Sequence, residues 1–212
     1  PVQKDHRLSW LMTLVSLGLG IGIIAHPAPL SQLFLLTFLV TMTGLLLRHH
    51  TSLWPISWWG ISQFCLAALG VVVAALTTPP FSSLGTLVTA VVLIPLLPFH
   101  TSYVIALTRL PGNLPSFSAF LLPAVGLHVM ASALHIIPAA ISGIVGLLAL
   151  IGALYGAVKA LAQTRIRLML SYASLSFFSM LWWHTSASSL ATSRAAVFVA
   201  SVGPKGDFSE VT

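Results

Sequence analysis

Four ionisable side chains stand inside otherwise apolar stretches of the sequence, and they are the first candidates for chemistry. They are His100, His128, His135 and Lys159. An imidazole can pass a proton and changes its charge near neutral pH, and an amine held among apolar side chains loses its proton more readily than one in water. His128 and His135 are seven residues apart, which places them on nearly the same face of a helix. These residue types predict a proton path.

Each of these residues also has a purely structural interpretation. A histidine in a membrane helix is often only hydrogen-bonded to a neighbouring helix, and this applies to His100 and His135 individually. Lys159 stands four residues before Gln163. Its long side chain could therefore simply extend to the cytoplasmic interface.

The composition indicates that membrane-spanning helices position these residues. Of 212 residues, 57% are hydrophobic and only 6% are charged, whereas about a quarter are charged in a soluble domain. The only acids are Asp5, Asp207 and Glu210, close to the termini. We therefore expect an all-α, polytopic transmembrane helix bundle. In a membrane protein the basic residues behind the net charge of +6 indicate cytoplasmic loops, and we expect no nucleic-acid surface. The single cysteine, Cys65, excludes a disulfide framework and a thiolate metal site.

The apolar runs predict about seven spans. They are Leu8–Ile24, Leu30–Leu47, Ile56–Leu76, Leu84–Thr108, Phe117–Ile137, Ile141–Leu161 and Ile166–Trp183. If the chain alternates, all basic residues between the spans fall on one side, so the positive-inside rule predicts a cytoplasmic N-terminus and a C-terminus on the opposite side. We expect one transmembrane domain over residues 1–185 and an extramembrane or interfacial tail over 186–212, because its one apolar run is too short to span.

Prolines interrupt two of these spans. The fifth contains Pro123 followed by Gly126, and the fourth contains Pro95 and Pro98 just before His100. Proline removes a backbone hydrogen bond, and transporters use broken helices at ion sites. We therefore predict a broken helix around Pro123, five residues before His128; an ordinary proline kink is the alternative.

Two segments resemble a known family. Ile94–Thr101 reads IPLLPFHT, and Gly152–Met180 reads GALYGAVKALAQTRIRLMLSYASLSFFSM. They resemble the PFH element, and the stretch Q-x-D-[IL]-K-R followed by L-A-Y-[ST]-S-[IV]-S, of the antiporter-like membrane subunits of respiratory complex I, the Mrp-type cation/proton antiporters and the membrane-bound hydrogenases. The matching places in the second segment are held by Gln163, Ile166, Arg167, Leu170, Tyr172, Ser174 and Ser176. The resemblance covers 94–180, somewhat under half of the chain.

The resemblance implies a membrane-arm subunit of a redox-driven or sodium-coupled ion pump. Such subunits have about fourteen helices in two inverted five-helix units, each with a broken helix and a central line of lysines, acids and histidines. This chain looks like a shortened version with about one unit. The implied partners are other integral membrane subunits, lipids and a quinone in a neighbouring subunit, within a translocase such as NADH-quinone oxidoreductase.

The chain also departs from the family pattern. Arg165 replaces the acid of the loop motif, and Ser102–Ala106 replaces the W-L-P-D-A that follows PFH. The lysine of the family's broken helix aligns near Leu127–His128, so either His128 substitutes for it or the site is lost. No acid stands inside the predicted spans, so a Lys–Glu pair cannot form there. This shortage slightly favours a copy that scaffolds its neighbours over one that conducts protons.

Two other functions stay open, and neither makes the chain catalytic alone, because no nucleotide loop, cysteine cluster or nucleophile elbow is found. We expect no cofactor in this chain, but His128 or His135, paired with His26 or His184, could hold a haem or chlorophyll. Glycines with the GxxxG spacing Gly152–Gly156 could instead serve assembly. Trp182 and Trp183 are interpreted as an aromatic belt at a membrane edge, with pigment contact as the alternative.

Overall fold

A computed structural model describes the backbone of residues 2–48, 55–110, 112–133 and 139–202, and the side chains of 7–48, 58–110, 112–132 and 141–186. These residues form eight α-helices and no strand, so the all-α class is confirmed for the described part of the chain. The helices are α1 (Val2–Ala25), α2 (Leu30–Arg48), α3 (Pro55–Leu76), α4 (Phe81–Leu93), α5 (Thr101–Arg109), α6 (Leu114–Ala133), α7 (Ala139–Leu161) and α8 (Ile166–Val202).

Five of these helices are long and apolar enough to cross a membrane, namely α1, α2, α3, α6 and α7. These five helices agree with the prediction of a membrane protein, but the predicted number of about seven spans is not confirmed. The fourth predicted span, Leu84–Thr108, is divided between the 13-residue α4 and the 9-residue α5. At 1.5 Å per residue, α4 is about 20 Å long and cannot cross an apolar core of about 30 Å alone.

The break predicted around Pro123 does not occur, because α6 is continuous from Leu114 to Ala133 with Pro123 inside it. Pro123 has no N–H to donate to the carbonyl of Ala119, four residues earlier. The hydroxyl of Tyr103 on α5 donates a hydrogen bond to this Ala119 oxygen at 3.3 Å. α5 thus supplies the donor that Pro123 lacks, and α6 continues without a break beyond Pro123.

The first six helices form one packed group. α1, α2 and α3 pack in chain order, α3 also contacts α4 and α5, and α6 contacts α1, α4 and α5. α7 and α8 pair with each other, and α8 contacts α5. Large buried side chains from several helices meet in the core, among them Phe38, Phe64, Tyr103, Leu122 and Trp182. The pair α7–α8 is therefore attached to the rest of the bundle beside the broken segment.

Small residues bring α7 and α8 close together. A Cβ added to Gly156 would lie 2.7 Å from the backbone nitrogen of Ser176 and 2.8 Å from the carbonyl oxygen of Tyr172. The Oγ of Ser176 donates a hydrogen bond to the carbonyl of Ala153 at 2.8 Å. The GxxxG spacing at Gly152–Gly156 thus serves a contact within this chain.

The last helix is much longer than the others. α8 has 37 residues, about 55 Å at the usual rise, which exceeds the thickness of the apolar core. The expected boundary between 185 and 186 falls inside α8, and the interfacial tail stays a prediction. His135 and residues 203–212 lie outside the described part of the chain.

Candidate functional site

The candidate site is the segment between α4 and α5, residues 94–100, which interrupts a helix inside the bundle. α4 ends at Leu93, and Ile94, the residue before Pro95, has an extended backbone (φ −97°, ψ 103°), as proline favours in the residue that precedes it. The carbonyl of Ile94 therefore takes no part in a helix. This carbonyl accepts a hydrogen bond from Nε1 of Trp182 on α8 at 3.2 Å. Trp182 is only 1% exposed, so its interpretation as a belt residue at a membrane edge is wrong. Its indole is instead part of the helix break.

The start of α5 is held by Gln63, which lies on α3 and is 2% exposed. Its Oε1 accepts a hydrogen bond from the backbone N–H of Ser102 at 2.8 Å, and its Nε2 donates to the carbonyl of Pro98 at 3.5 Å. The first N–H groups of a helix have no intrahelical partner, so this amide satisfies one of them. Sequence reasoning missed Gln63, although a single amide in the apolar run of α3 was a usable signal.

His100 is the last residue of the break and meets two tyrosines from other helices. Its ring centroid lies 5.6 Å from that of Tyr155 on α7 and 6.4 Å from that of Tyr172 on α8. The two tyrosine rings are 6.2 Å apart. Nδ1 of His100 is buried without a hydrogen-bond partner among the described residues. An imidazole and two phenols are thus grouped at the segment between α4 and α5.

Lys159 joins this group from α7. Its Nζ lies 5.9 Å from the centroid of the Tyr155 ring, one helical turn earlier on the same face. This distance is within the range of a cation–π contact. Lys159 is also exposed, as expected for a side chain that extends to an interface. We name His100, Tyr155, Lys159 and Tyr172 the His100 cluster.

His128 is not part of the His100 cluster. It lies on α6 and lines a cavity of about 380 Å³ together with His26, Ser31, Thr86 and Thr89. His26 follows α1, and its Nδ1 lies 3.1 Å from the carbonyl oxygen of Gly22. The structure therefore places Tyr155 between His100 and Lys159, and it places the exposed His26 and His128 on the wall of one cavity. The pairing of His128 with His135 is outside the described residues.

Gly126 lies where α6 meets the end of α4. A Cβ added there would lie 2.6 Å from Cγ1 of Ile94 and 3.0 Å from its backbone nitrogen. α6 therefore packs directly on the end of α4. The predicted role of Gly126 at a break in its own helix is wrong, because it packs instead against the break between α4 and α5.

The loop motif lies at the end of the bundle where α7 and α5 end. Arg165 and Arg167 line a cavity of about 820 Å³ together with Arg109, the last residue of α5. Gln163 is partly buried in the loop between α7 and α8. The three arginines thus share one end of the bundle, and the assignment of this end to the cytoplasm stays a prediction.

No group of three or more histidine, cysteine or acidic side chains gathers anywhere in the described part of the chain. The single cysteine, Cys65, is exposed on α3. A metal would therefore depend on fewer protein ligands, and the candidate pair is His26 with His128.

Comparisons of the chain with protein families, with curated proteins and with solved structures find no match.

Proposed function

We propose that this chain is an antiporter-like membrane subunit of a multisubunit redox-linked complex, and that the His100 cluster contributes to proton or cation translocation. One observation carries the proposal: His100 lies at the end of the segment between α4 and α5 and contacts Tyr155 and Tyr172 of two other helices. Ionisable groups inside a membrane are costly and usually functional. Imidazole, phenol and amine groups can each give and accept a proton, so the cluster can relay one.

The His100 cluster combines residues of both segments on which the family resemblance is based. His100 belongs to the first resembling segment, Ile94–Thr101, and both tyrosines belong to the second, Gly152–Met180. These segments are far apart in the chain, yet their aromatic side chains meet. Irregular backbone at membrane depth is tolerated where it is buried in protein or lines a cavity, and transporters place ion sites there. The first part of the break, Ile94–Leu96, is buried, and Gln63 and Trp182 hydrogen-bond to the break, which fits this pattern.

The proposal divides the proton path into two halves. The His100 cluster leads from the exposed Lys159 to the break, and the cavity lined by His128 approaches the break from the start of α4. We place the boundary between the two halves where Gly126 of α6 packs against Ile94 at the end of α4. Passage of a proton then requires α6 and the end of α4 to separate, a motion that a neighbouring redox subunit would drive.

The second version of the proposal is a scaffold without proton flux. It is favoured by the absence of any acid among the residues whose side chains are described, since the chain's acids are Asp5, Asp207 and Glu210. The family's lysines work beside acids. A chain without these pairs can still hold neighbouring subunits in place.

The test measures proton flux in proteoliposomes that contain the full chain with the membrane subunits that co-purify with it. We compare wild type with His100→Gln, which keeps a polar side chain but cannot take up a proton near neutral pH. His184→Gln is the matched control, because His184 is an exposed histidine on α8. We expect His100→Gln to lower the flux about a hundredfold, the lower end of the range for loss of a positioned proton-transfer group.

Unchanged flux in His100→Gln, with intact assembly, excludes the proton path and leaves the scaffold. Mass spectrometry of the co-purified proteins tests the first part of the proposal independently. Recovery of the chain without other integral membrane subunits contradicts membership in a multisubunit complex.

A haem- or chlorophyll-holding subunit is the second candidate, favoured by the cavity that His26 and His128 share. When Nδ1 of His26 carries the proton, it donates to the carbonyl of Gly22 and leaves Nε2 for a metal, which is the usual arrangement of a ligating histidine. A visible absorption spectrum of the purified chain tests this. A Soret or Qy band that disappears in His128→Ala supports this candidate and contradicts the proton path.

A further inference from the structure

A basic cavity lies at the end of the bundle that holds the loop between α7 and α8. It measures about 820 Å³, and Arg109, Arg165 and Arg167 line it. Val104, Ile105 and Leu168 add apolar side chains to its walls. Three cations thus surround one space that also has apolar surface.

No acid of this chain is seen to neutralise the three arginines. The residues whose side chains are described include no aspartate or glutamate, and the three acids of the sequence stand close to its termini. Like charges held around one cavity repel each other, so an anion in the cavity lowers the electrostatic energy. The planar guanidinium group suits phosphate oxygens because it can bind two of them at once.

The start of α8 adds further donors to the same cavity. The first intrahelical hydrogen bond there is donated by Met169 to the carbonyl of Arg165, at 2.9 Å. The N–H groups of the preceding residues have no acceptor within the helix, and the helix dipole is positive at this end. Arg165 and Ile166 line the cavity, so the helix start and the guanidinium groups favour the same kind of ligand.

The surroundings of the cavity favour a lipid over a soluble anion. α7 is one of the helices able to span a membrane, and the arginine-bearing loop begins directly after its end at Leu161. Leu161 is 89% exposed and Ile166, in the cavity wall, is 77% exposed. Acyl chains can cover these side chains while a headgroup lies among the arginines. Basic pockets between membrane helices bind anionic headgroups in this way.

We infer that this cavity binds the phosphate headgroup of an anionic phospholipid, with Arg109, Arg165 and Arg167 as its ligands. The inference does not depend on the proposed function, because a lipid can bind to a conducting or to a scaffolding chain. Tyr172 lies both in the cavity wall and in the His100 cluster. A bound lipid would therefore lie next to the proposed proton path.

The test is native mass spectrometry of the full chain in detergent with equal concentrations of phosphatidylglycerol and phosphatidylcholine. We expect wild type to retain phosphatidylglycerol preferentially. Each of Arg109→Gln, Arg165→Gln and Arg167→Gln should weaken this binding about fivefold, the effect of one basic residue near an anionic headgroup. Arg48→Gln is the matched control, because this exposed arginine ends α2 and is not in the cavity wall; we expect its binding to be unchanged.

A second arm adds inorganic phosphate to the lipid-bound chain. Retention of the lipid supports the lipid site, whereas displacement by millimolar phosphate with the same arginine dependence overturns the lipid assignment. Equal retention of phosphatidylglycerol by wild type and by the Arg165→Gln/Arg167→Gln double variant overturns the inference. Circular dichroism of every variant verifies that the helices are intact, so a loss of binding reports on the site.

Discussion

The hydrogen bond from Tyr103 to Ala119 gives the sharpest prediction about the fold. Tyr103→Phe removes the hydroxyl that donates to the Ala119 carbonyl at 3.3 Å. Pro123 cannot supply a donor, so the variant leaves this carbonyl without its partner inside the bundle. An unsatisfied buried acceptor costs about 1–3 kcal/mol, and because this bond is long we expect about 1 kcal/mol.

A second substitution restores the missing donor and makes the prediction specific. In Pro123→Ala, the N–H of residue 123 can bond to the Ala119 carbonyl in the ordinary helical pattern. Loss of the tyrosine hydroxyl then no longer isolates this oxygen. We expect Tyr103→Phe to cost less than about 0.5 kcal/mol in this background, because the hydrogen bond has been replaced.

The assay is a double-mutant cycle on the full chain in mixed micelles. Unfolding by sodium dodecyl sulfate is followed by circular dichroism, and the free energy of unfolding is compared for wild type, both single variants and the double variant. Tyr172→Phe, which removes the same chemical group on α8, is the matched control. Its effect on the free energy of unfolding should be additive with that of Pro123→Ala.

Additive effects of Tyr103→Phe and Pro123→Ala, within about 0.5 kcal/mol, refute the reasoning. Such a result means that α6 tolerates its proline by some means other than the tyrosine hydroxyl. A coupling seen equally with Tyr172→Phe refutes it as well, because that hydroxyl has no part in the proposed bond.

Two further predictions concern the helix break and the pair α7–α8. Gln63→Leu should lower the free energy of unfolding by about 1–3 kcal/mol, because the buried N–H of Ser102 loses its acceptor. The control is Gln163→Leu, at a partly buried loop residue. An equal loss of unfolding free energy in both variants contradicts the capping role of Gln63. Gly156→Ala should cost about 1–3 kcal/mol, because the new methyl group meets the backbone of α8. Gly143→Ala, where no atom lies within 4 Å, should be neutral or slightly stabilising in the same unfolding assay, and a similar loss in both variants contradicts the close contact.

The membrane class and most helix bounds could be predicted because they depend on composition. Leu30–Leu47 was predicted and Leu30–Arg48 is observed, and the prediction Ile141–Leu161 lies within α7. Long apolar runs with few charges have one stable form in a bilayer, a helix that satisfies its own backbone. Such segments need no information from the rest of the chain.

The outcome at each proline could not be read from the local sequence. Pro123 leaves the carbonyl of Ala119 without its helical donor, yet α6 continues, whereas α4 ends at Leu93 just before Pro95. Other helices supply donors at both places, Tyr103 to the carbonyl of Ala119 and Trp182 to the carbonyl of Ile94. A hydropathy pattern contains no information on these partners.

Which candidate residues lie near each other could also not be predicted from the sequence. Seven-residue spacing can place two histidines on one helix face, but it cannot pair His128 with His26 or His100 with Tyr155. These pairings depend on how the helices pack.

The hydrogen bond between Trp182 and Ile94 affects the order in which parts of the protein can fold during synthesis. The two residues are 88 positions apart, and helices are synthesised from the N-terminus. The apolar stretch around Pro98 therefore leaves the ribosome long before the indole that satisfies the Ile94 carbonyl. Until α8 has been made and inserted, the nascent bundle lacks this donor. The hydrogen bond between Trp182 and Ile94 can therefore form only late in translation. In a chain truncated before Trp182, we expect the carbonyl of Ile94 to lack this donor.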